Sequence, residues 1–167
     1  MSDILCMYST RTGNTKAAME ELAAALDAEL VELSDGVDRS GAKGFLRSGM
    51  DAMRRTVAPP LQPFKTKKPL ANYKLVILGT PVWAGRCSSV IRGFLKEQGY
   101  LLTNVSYVLL RSGNGKCEEV YQQMDKYLSQ PHRTAVSLRA GSVGYRFWQE
   151  EFLRRTRAFL EGEEIQD

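Results

Sequence analysis

The apolar residues of the chain fall into two alternating patterns: short continuous runs, and longer stretches with apolar residues three and four positions apart. Ile4–Tyr8 is the first short run and stops at Ser, Thr and Gly, which predicts a buried strand. From Asn14 to about Ala28, Met19, Leu22 and Leu26 recur at helical spacing and predict a helix with one apolar stripe. Leu30–Leu33, Lys74–Leu78, Val105–Leu110 and Thr134–Leu138 predict four more strands. Helices fall between them. One has Ser88 or Ser89 as N-cap, carries Val90, Ile91, Phe94 and Leu95, and has Gly99 beyond its end. Another runs from about Lys116 through Val120, Tyr121, Met124 and Leu128 until Pro131 stops it. The last places Trp148, Phe152, Thr156 and Phe159 on one face. Strands alternating with helices predict βαβ crossovers and a parallel sheet covered on both sides.

About forty residues separate the second and third strands, more than a plain crossover requires. Within them, Gly41–Arg55 predicts a helix whose apolar positions are Phe45, Met50 and Met53. Pro59, Pro60, Pro63 and Pro69 then enforce an extended, lysine-rich return. The segment holds too few apolar residues for a second core, so 1–167 reads as one domain, in keeping with its length. Its basic stretch, Arg39 to Lys68, either binds a partner or covers the sheet edge.

Composition acts mainly by exclusion. With 43% hydrophobic and 25% charged residues the chain belongs with globular rather than disordered proteins. No apolar run approaches the roughly 20 residues of a membrane span, and the start Met1-Ser2-Asp3 lacks the basic region of a secretory signal. Cys6, Cys87 and Cys117 are odd in number and lack CxxC spacing, which points to a reduced, cytoplasmic protein without a disulfide framework. His132 is the sole histidine, so multi-histidine metal sites are excluded and no metal is expected. The net charge of +4 is not organised as a basic stripe with interleaved aromatics, so nucleic acid is not an expected partner.

The candidate chemistry lies in the loops that follow strands. Ser9-Thr10-Arg11-Thr12-Gly13-Asn14-Thr15 joins a buried strand to a helix start, where unpaired N–H groups and the helix dipole favour a phosphate. Four hydroxyls add donors, and Gly13 can adopt a positive φ that wraps the backbone round an anion. A plain Ser/Thr-rich turn capped by Asn14 is the structural alternative. The better-known glycine motifs are absent. Gly115-Lys116 is followed by Cys117 rather than Ser or Thr, and Gly113-x-Gly115 meets Glu118 where GxGxxG needs its third glycine.

Tyr8–Thr15 resembles the phosphate loop of the flavodoxins, and Gly79-Thr80-Pro81-Val82-Trp83-Ala84-Gly85 resembles the flavodoxin loop that lies against the flavin ring. Arg111-Ser112-Gly113-Asn114-Gly115 stands where the second flavin loop belongs. The resemblance implies a three-layer α/β fold with a five-stranded parallel sheet in the order 2-1-3-4-5, and FMN as cofactor. It implies a phosphate site at Ser9, Thr10, Arg11, Thr12, Gly13, Asn14 and Thr15. Pro81, Val82, Trp83, Ala84 and Gly85 would meet the ring from one side, and Ser112, Gly113, Asn114 and Gly115 from the other. The residues agree independently: loops one, three and four emerge at the carboxyl ends of the strands, where open parallel sheets bind ligands, and Trp83 offers a flat apolar partner.

Two departures bear on function. The second flavin loop carries Lys116 and Cys117 where an aromatic usually covers the ring, and Tyr121 follows a helical turn later. An uncovered face would admit a planar substrate, which favours an FMN-dependent NAD(P)H:quinone-type oxidoreductase; a single-electron carrier serving protein partners is the alternative. Positive net charge, with Arg86, Arg111 and Lys116 expected near the flavin mouth, also differs from acidic carrier flavodoxins. Met19 stands where the family usually has a small alanine. Cys87 and Cys117 lie on the flanking loops and read as small hydrophobes rather than a redox pair.

Overall fold

A computed structural model describes residues 2–54 and 61–162. Five parallel strands form the sheet: β1 (Ile4–Tyr8), β2 (Glu29–Glu32), β3 (Leu75–Trp83), β5 (Val105–Arg111) and β6 (Ala135–Arg139), in the order β2-β1-β3-β5-β6. A two-residue strand, β4 (Arg86–Cys87), pairs antiparallel with the end of β3. Leaving β4 aside, this is the expected 2-1-3-4-5 order.

The central strands are predominantly apolar because both faces are covered, with Thr80 and Ser106 as buried polar exceptions. Leu5, Met7, Val76, Leu78, Tyr107 and Leu109 point into one core layer, shared with helix α3 (Ser89–Gln98) and helix α4 (Glu119–Asp125). Cys6, Ile77, Val108 and Leu138 point into the other, shared with helix α1 (Asn14–Leu26) and helix α5 (Tyr145–Leu160). On α1 the buried residues are Thr15, Ala18, Met19, Leu22 and Ala23, the spacing of a single helical stripe. Asp27 ends this helix in a left-handed conformation (φ 52°), and the Ala28 N–H closes back on the Ala23 carbonyl at 2.8 Å. The large Met19 is accommodated by Gly79, where a Cβ would stand 2.6 Å from the Met19 sulfur.

Several elements differ from the sequence expectation. β3 does not stop at Leu78. It continues to Trp83, pairs with β5 as far as Pro81–Leu110, and turns through Ala84 (φ 50°) and Gly85 (φ 73°) into β4. Two consecutive positive φ values are what a two-residue hairpin requires. Helix α4 begins at Glu119 rather than near Lys116, because Cys117 sits at φ 57° and cannot be helical. On α5 the buried face is Gln149, Phe152, Leu153 and Thr156; Trp148 lies to one side, and Gln149 donates to Glu21 at 2.6 Å.

Helix α2 (Gly41–Arg54) forms within the long connection, but facing the other way. Phe45, Met50 and Met53, expected as its packing positions, are 63%, 46% and 64% exposed, and Leu46 is 64% exposed. Its buried residues are Gly44, Ser48, Asp51 and Ala52. The polar face turns inward because Arg39 lies beneath it. The Arg39 guanidinium meets Asp35 at 2.7 Å, Asp51 at 3.0 Å, and the hydroxyls of Ser48 and Ser89 at 3.2 Å. Arg92 of α3 donates to the Asp51 and Ala52 carbonyls at 2.7 and 3.1 Å, satisfying acceptors that a helix end leaves open. Gly44 permits this closeness, since a Cβ there would stand 1.9 Å from the Arg39 backbone. In the return path, Phe64 packs edge-on against Phe94 with centroids 6.0 Å apart. Arg55, Pro59 and Pro60 lie outside the described residues.

Candidate functional site

β1, β3, β5 and β6 run in parallel and so deliver their carboxyl ends to one side of the sheet. There, together with α2, they enclose a cleft of about 440 Å³, within the range of small-molecule sites. From the first loop come Arg11, Thr12, Asn14 and Thr15; from the end of β3, Pro81, Val82, Trp83 and Ala84. Leu110, Arg111 and Ser112 follow from β5, Arg139 and Ala140 from β6, and Phe45, Ser48 and Gly49 from α2. Arg11, Arg111 and Arg139 give the cleft three cations, and among the described residues no carboxylate lines it.

The first loop is shaped by Gly13, which precedes α1 at φ 95° and donates its N–H to the Thr10 hydroxyl at 3.0 Å. No side chain caps α1, and its first turn has no acid, so the positive end of the helix lacks a counter-charge of its own. Asn14, expected as a cap in the structural alternative, is instead the first helical residue. Thr15 is buried at the cleft wall. Ser9 is engaged elsewhere: its hydroxyl lies 2.7 Å from that of Ser88, the α3 N-cap, which accepts the Ile91 N–H at 3.1 Å. Ser9 and Thr10 border a neighbouring cavity of about 250 Å³ that also holds Asp35, Asp38 and Arg39.

Trp83 is 8% exposed and separates the two cavities, lining both. The Arg39 guanidinium stands over the indole at 4.8 Å from its centroid, so one polar clamp fixes both Trp83 and α2. Gly85 does not reach the cleft; it supplies the turn.

In the loop after β5 only Ser112 lines the cleft, and Gly113, Asn114 and Gly115 do not. The Gly113 carbonyl accepts from Arg111 at 2.6 Å, the Asn114 side chain accepts from Arg139, and the Gly115 carbonyl accepts from Cys117 Sγ at 3.5 Å. These bonds fold the loop back and hold the two arginines at the rim.

Of the cations expected at the mouth, Arg111 is present, whereas Arg86 and Lys116 are not in the lining. Arg86 pairs with Trp83 across the hairpin. Lys116 sits 4.1 Å from the Trp148 ring, beside a separate cavity that includes Tyr121. Tyr121 stacks on Tyr107 with centroids 6.1 Å apart and stays away from the cleft. Cys87 belongs to the core layer and the half-buried Cys117 packs against it, neither lining the cleft; burial pushes the Cys87 thiol up to about 11 and raises that of Cys117.

The sequence reading missed Phe45, Arg139 and the role of Arg39. Arg139 had a usable signal: it is the residue at which the apolar run of β6 ends, subject to the carboxyl-end rule that located the other loops. Arg39 had none, because nothing local marks it as the partner of Asp51.

No protein-family model and no curated protein matches the sequence. Solved structures do match by shape. A flavoprotein from Bacteroides eggerthii superposes with a TM-score of 0.72 at 20% identity, covering 91% of this chain and 98% of its own. A flavoprotein from Lactobacillus acidophilus in complex with FMN gives 0.65 at 21% identity, covering 89% and 99%. A Fusobacterium nucleatum flavodoxin bound to flavin mononucleotide gives 0.55 at 13% identity, covering 96% of both. Five parallel strands in this order, helices on both faces, and these relatives in shape together identify the architecture: the chain has the flavodoxin-like fold.

Proposed function

We propose that this chain is an FMN-dependent oxidoreductase that passes electrons from NAD(P)H to a quinone or another small planar acceptor. The observation that carries the reading is the cleft: an uncapped helix start, a buried aromatic and three arginines converge on it with no opposing carboxylate among the described residues. The residues present fit the cofactor. Gly13 adopts a backbone angle that disfavours other residues, and the space where a Cβ would stand is open, as a phosphate cradle requires. Thr12, Asn14 and Thr15 would hold the phosphate there, with the dipole of α1 behind them. Pro81–Ala84 and Ser112 would contact the ring. FMN, when bound, supplies the hydride and electron chemistry; the chain orients it and excludes water.

Two further features favour an enzyme over a carrier. Gly113–Gly115 and Tyr121 do not line the cleft, so the loop after β5 brings no aromatic over the ring site and leaves that face for a planar substrate. Arg11, Arg111 and Arg139 would attract the phosphates of a nicotinamide dinucleotide. The buried thiols agree with action in the reducing cytoplasm.

The test is an absorbance spectrum of the purified protein, followed by anaerobic NADH or NADPH. A bound flavin that bleaches within an enzyme's turnover time supports the reading. A flavin that binds but resists both nucleotides and yields only to a reductase protein makes the chain a carrier. Failure to bind FMN rejects both. As a check on the cradle, Gly13→Val should lower FMN affinity on the order of tenfold, from backbone strain at a positive φ, without loss of circular dichroism.

A further inference from the structure

The orientation of α2 inverts the usual rule over a whole helix face, showing four large apolar side chains to solvent and burying polar ones. Going round the helix at about 100° per residue, three sectors appear. Gly44, Ser48, Asp51 and Ala52 face inward. Phe45, Met53, Leu46 and Met50 then occupy an outward arc of roughly 140° at that spacing, each at least 46% exposed. Lys43, Arg54 and Arg47 follow on the far flank, all exposed. The helix has one acid, Asp51, and it is buried against Arg39. Outwardly α2 therefore shows only apolar and cationic groups, over a length of roughly 21 Å at 1.5 Å per residue.

We propose that this face docks α2 onto an anionic lipid bilayer. An amphipathic helix with a wide apolar arc and basic residues beside it lies in the plane of a membrane interface, its apolar side chains among the acyl chains and its cations among the headgroups. Lys and Arg stems reach outward to the headgroup level while their methylenes stay apolar. Charge selects the surface: Lys43 and Arg54, beside the half-exposed Arg47 that pairs with Asp51 at 3.1 Å, match anionic headgroups, and the helix has no exposed carboxylate. Shape selects a membrane over a protein. The face is a single convex helix that meets the cleft only at its Phe45 and Gly49 edge, and Phe45, Leu46, Met50 and Met53 offer no side-chain hydrogen bond to fix a partner's register. A fluid layer moulds itself to such a surface. The clamp of Arg39 and Arg92 holds α2 with this arc outward, so the docking face is built rather than incidental.

Phe45 and Gly49 border both the arc and the cleft, so docking would place the cleft mouth at the headgroup level. Resting on the flavin reading above, the acceptor class would then be a quinone dissolved in the bilayer. The docking itself does not depend on that reading.

The full chain, with and without added FMN, is mixed with vesicles of phosphatidylcholine alone or of phosphatidylcholine and phosphatidylglycerol in equal parts, then floated on a density gradient. It should float with the anionic vesicles, in either flavin state, and be released by salt. Leu46→Glu with Met53→Glu should lower the bound fraction at low lipid at least roughly tenfold, as should Lys43→Glu with Arg54→Glu. None of these residues lines the cleft, so FMN titration should be unchanged in the variants and shows that they are folded. Absence of flotation with either vesicle overturns the proposal, as does equal flotation with both. A dimer seen by light scattering and dispersed by Leu46→Glu with Met53→Glu assigns the face to a second copy and overturns it too. So does a chain that binds only an acidic protein.

Discussion

Arg39 offers the sharpest test of how this fold is held together. Its side chain is 7% exposed and touches Asp35 (8% exposed) at 2.7 Å and Asp51 (11% exposed) at 3.0 Å. Replacing it with Met keeps much of the volume but leaves two carboxylates buried without their cation. Asp51 retains Arg47 at 3.1 Å, but that side chain is 50% exposed and a weak substitute. Removing one partner of a buried pair costs about 3–5 kcal/mol. Loss of the Trp83 contact adds about 1 kcal/mol at a partly desolvated site. Arg39→Met should therefore destabilise the protein by roughly 4–6 kcal/mol in urea unfolding followed by circular dichroism. Adding Asp35→Asn and Asp51→Asn should recover a large part of that loss, since neutral amides need no buried counter-charge. A single-variant loss below about 1 kcal/mol, or a triple variant no more stable than Arg39→Met, would falsify the view that this clamp fixes α2.

Two other expectations are independent of it. Gly79→Ala should cost about 1–3 kcal/mol by overpacking against Met19, with Gly79→Ala combined with Met19→Ala less destabilised than the sum of the two changes; simple additivity would refute the Met19–Gly79 contact. Burial pushes the Cys6 and Cys87 thiols from 9.0 up to about 12 and about 11. Between those values the unfolded chain ionises and the folded chain does not, so stability should be intact below about pH 9 and fall as pH rises towards 12. Replacing Cys6 with Ala would blunt that fall in pH-dependent urea midpoints, and iodoacetamide on the native protein at pH 8 should label Cys117 before Cys6 or Cys87.

The parallel sheet was legible because its strands carry their own signal: Leu75–Leu78 is apolar throughout and Val105–Leu110 apolar but for Ser106, as strands buried on both faces tend to be. The loop positions followed from the sheet, since ligand loops lie at carboxyl ends whatever their sequence. What escaped the reading depends on distant partners. The extension of β3 to Trp83 needs β5 beside it and Ala84 at a positive φ, which the Pro81 in that stretch argues against locally. The periodicity of α2 showed an apolar arc correctly but not which side is inside. That was decided by Arg39, five residues upstream of Gly44 and outwardly one more charge in a basic segment. Phe45, in phase with that arc, carries no local sign that it stands at the cleft.

The polar seat of α2 has a thermal consequence. The heat capacity of unfolding comes from apolar surface newly wetted, and exposure of polar surface opposes it. Lifting α2 away would wet Ser48, Asp51, Asp35 and Arg39, with Ala52 the one buried apolar side chain of the helix, since Phe45, Leu46, Met50 and Met53 are already wet. Its release would thus carry almost no heat-capacity change, and its free energy would run nearly straight with temperature. The sheet and its two core layers follow the usual curved dependence. Cooling would weaken the core while leaving the seat of α2 almost untouched.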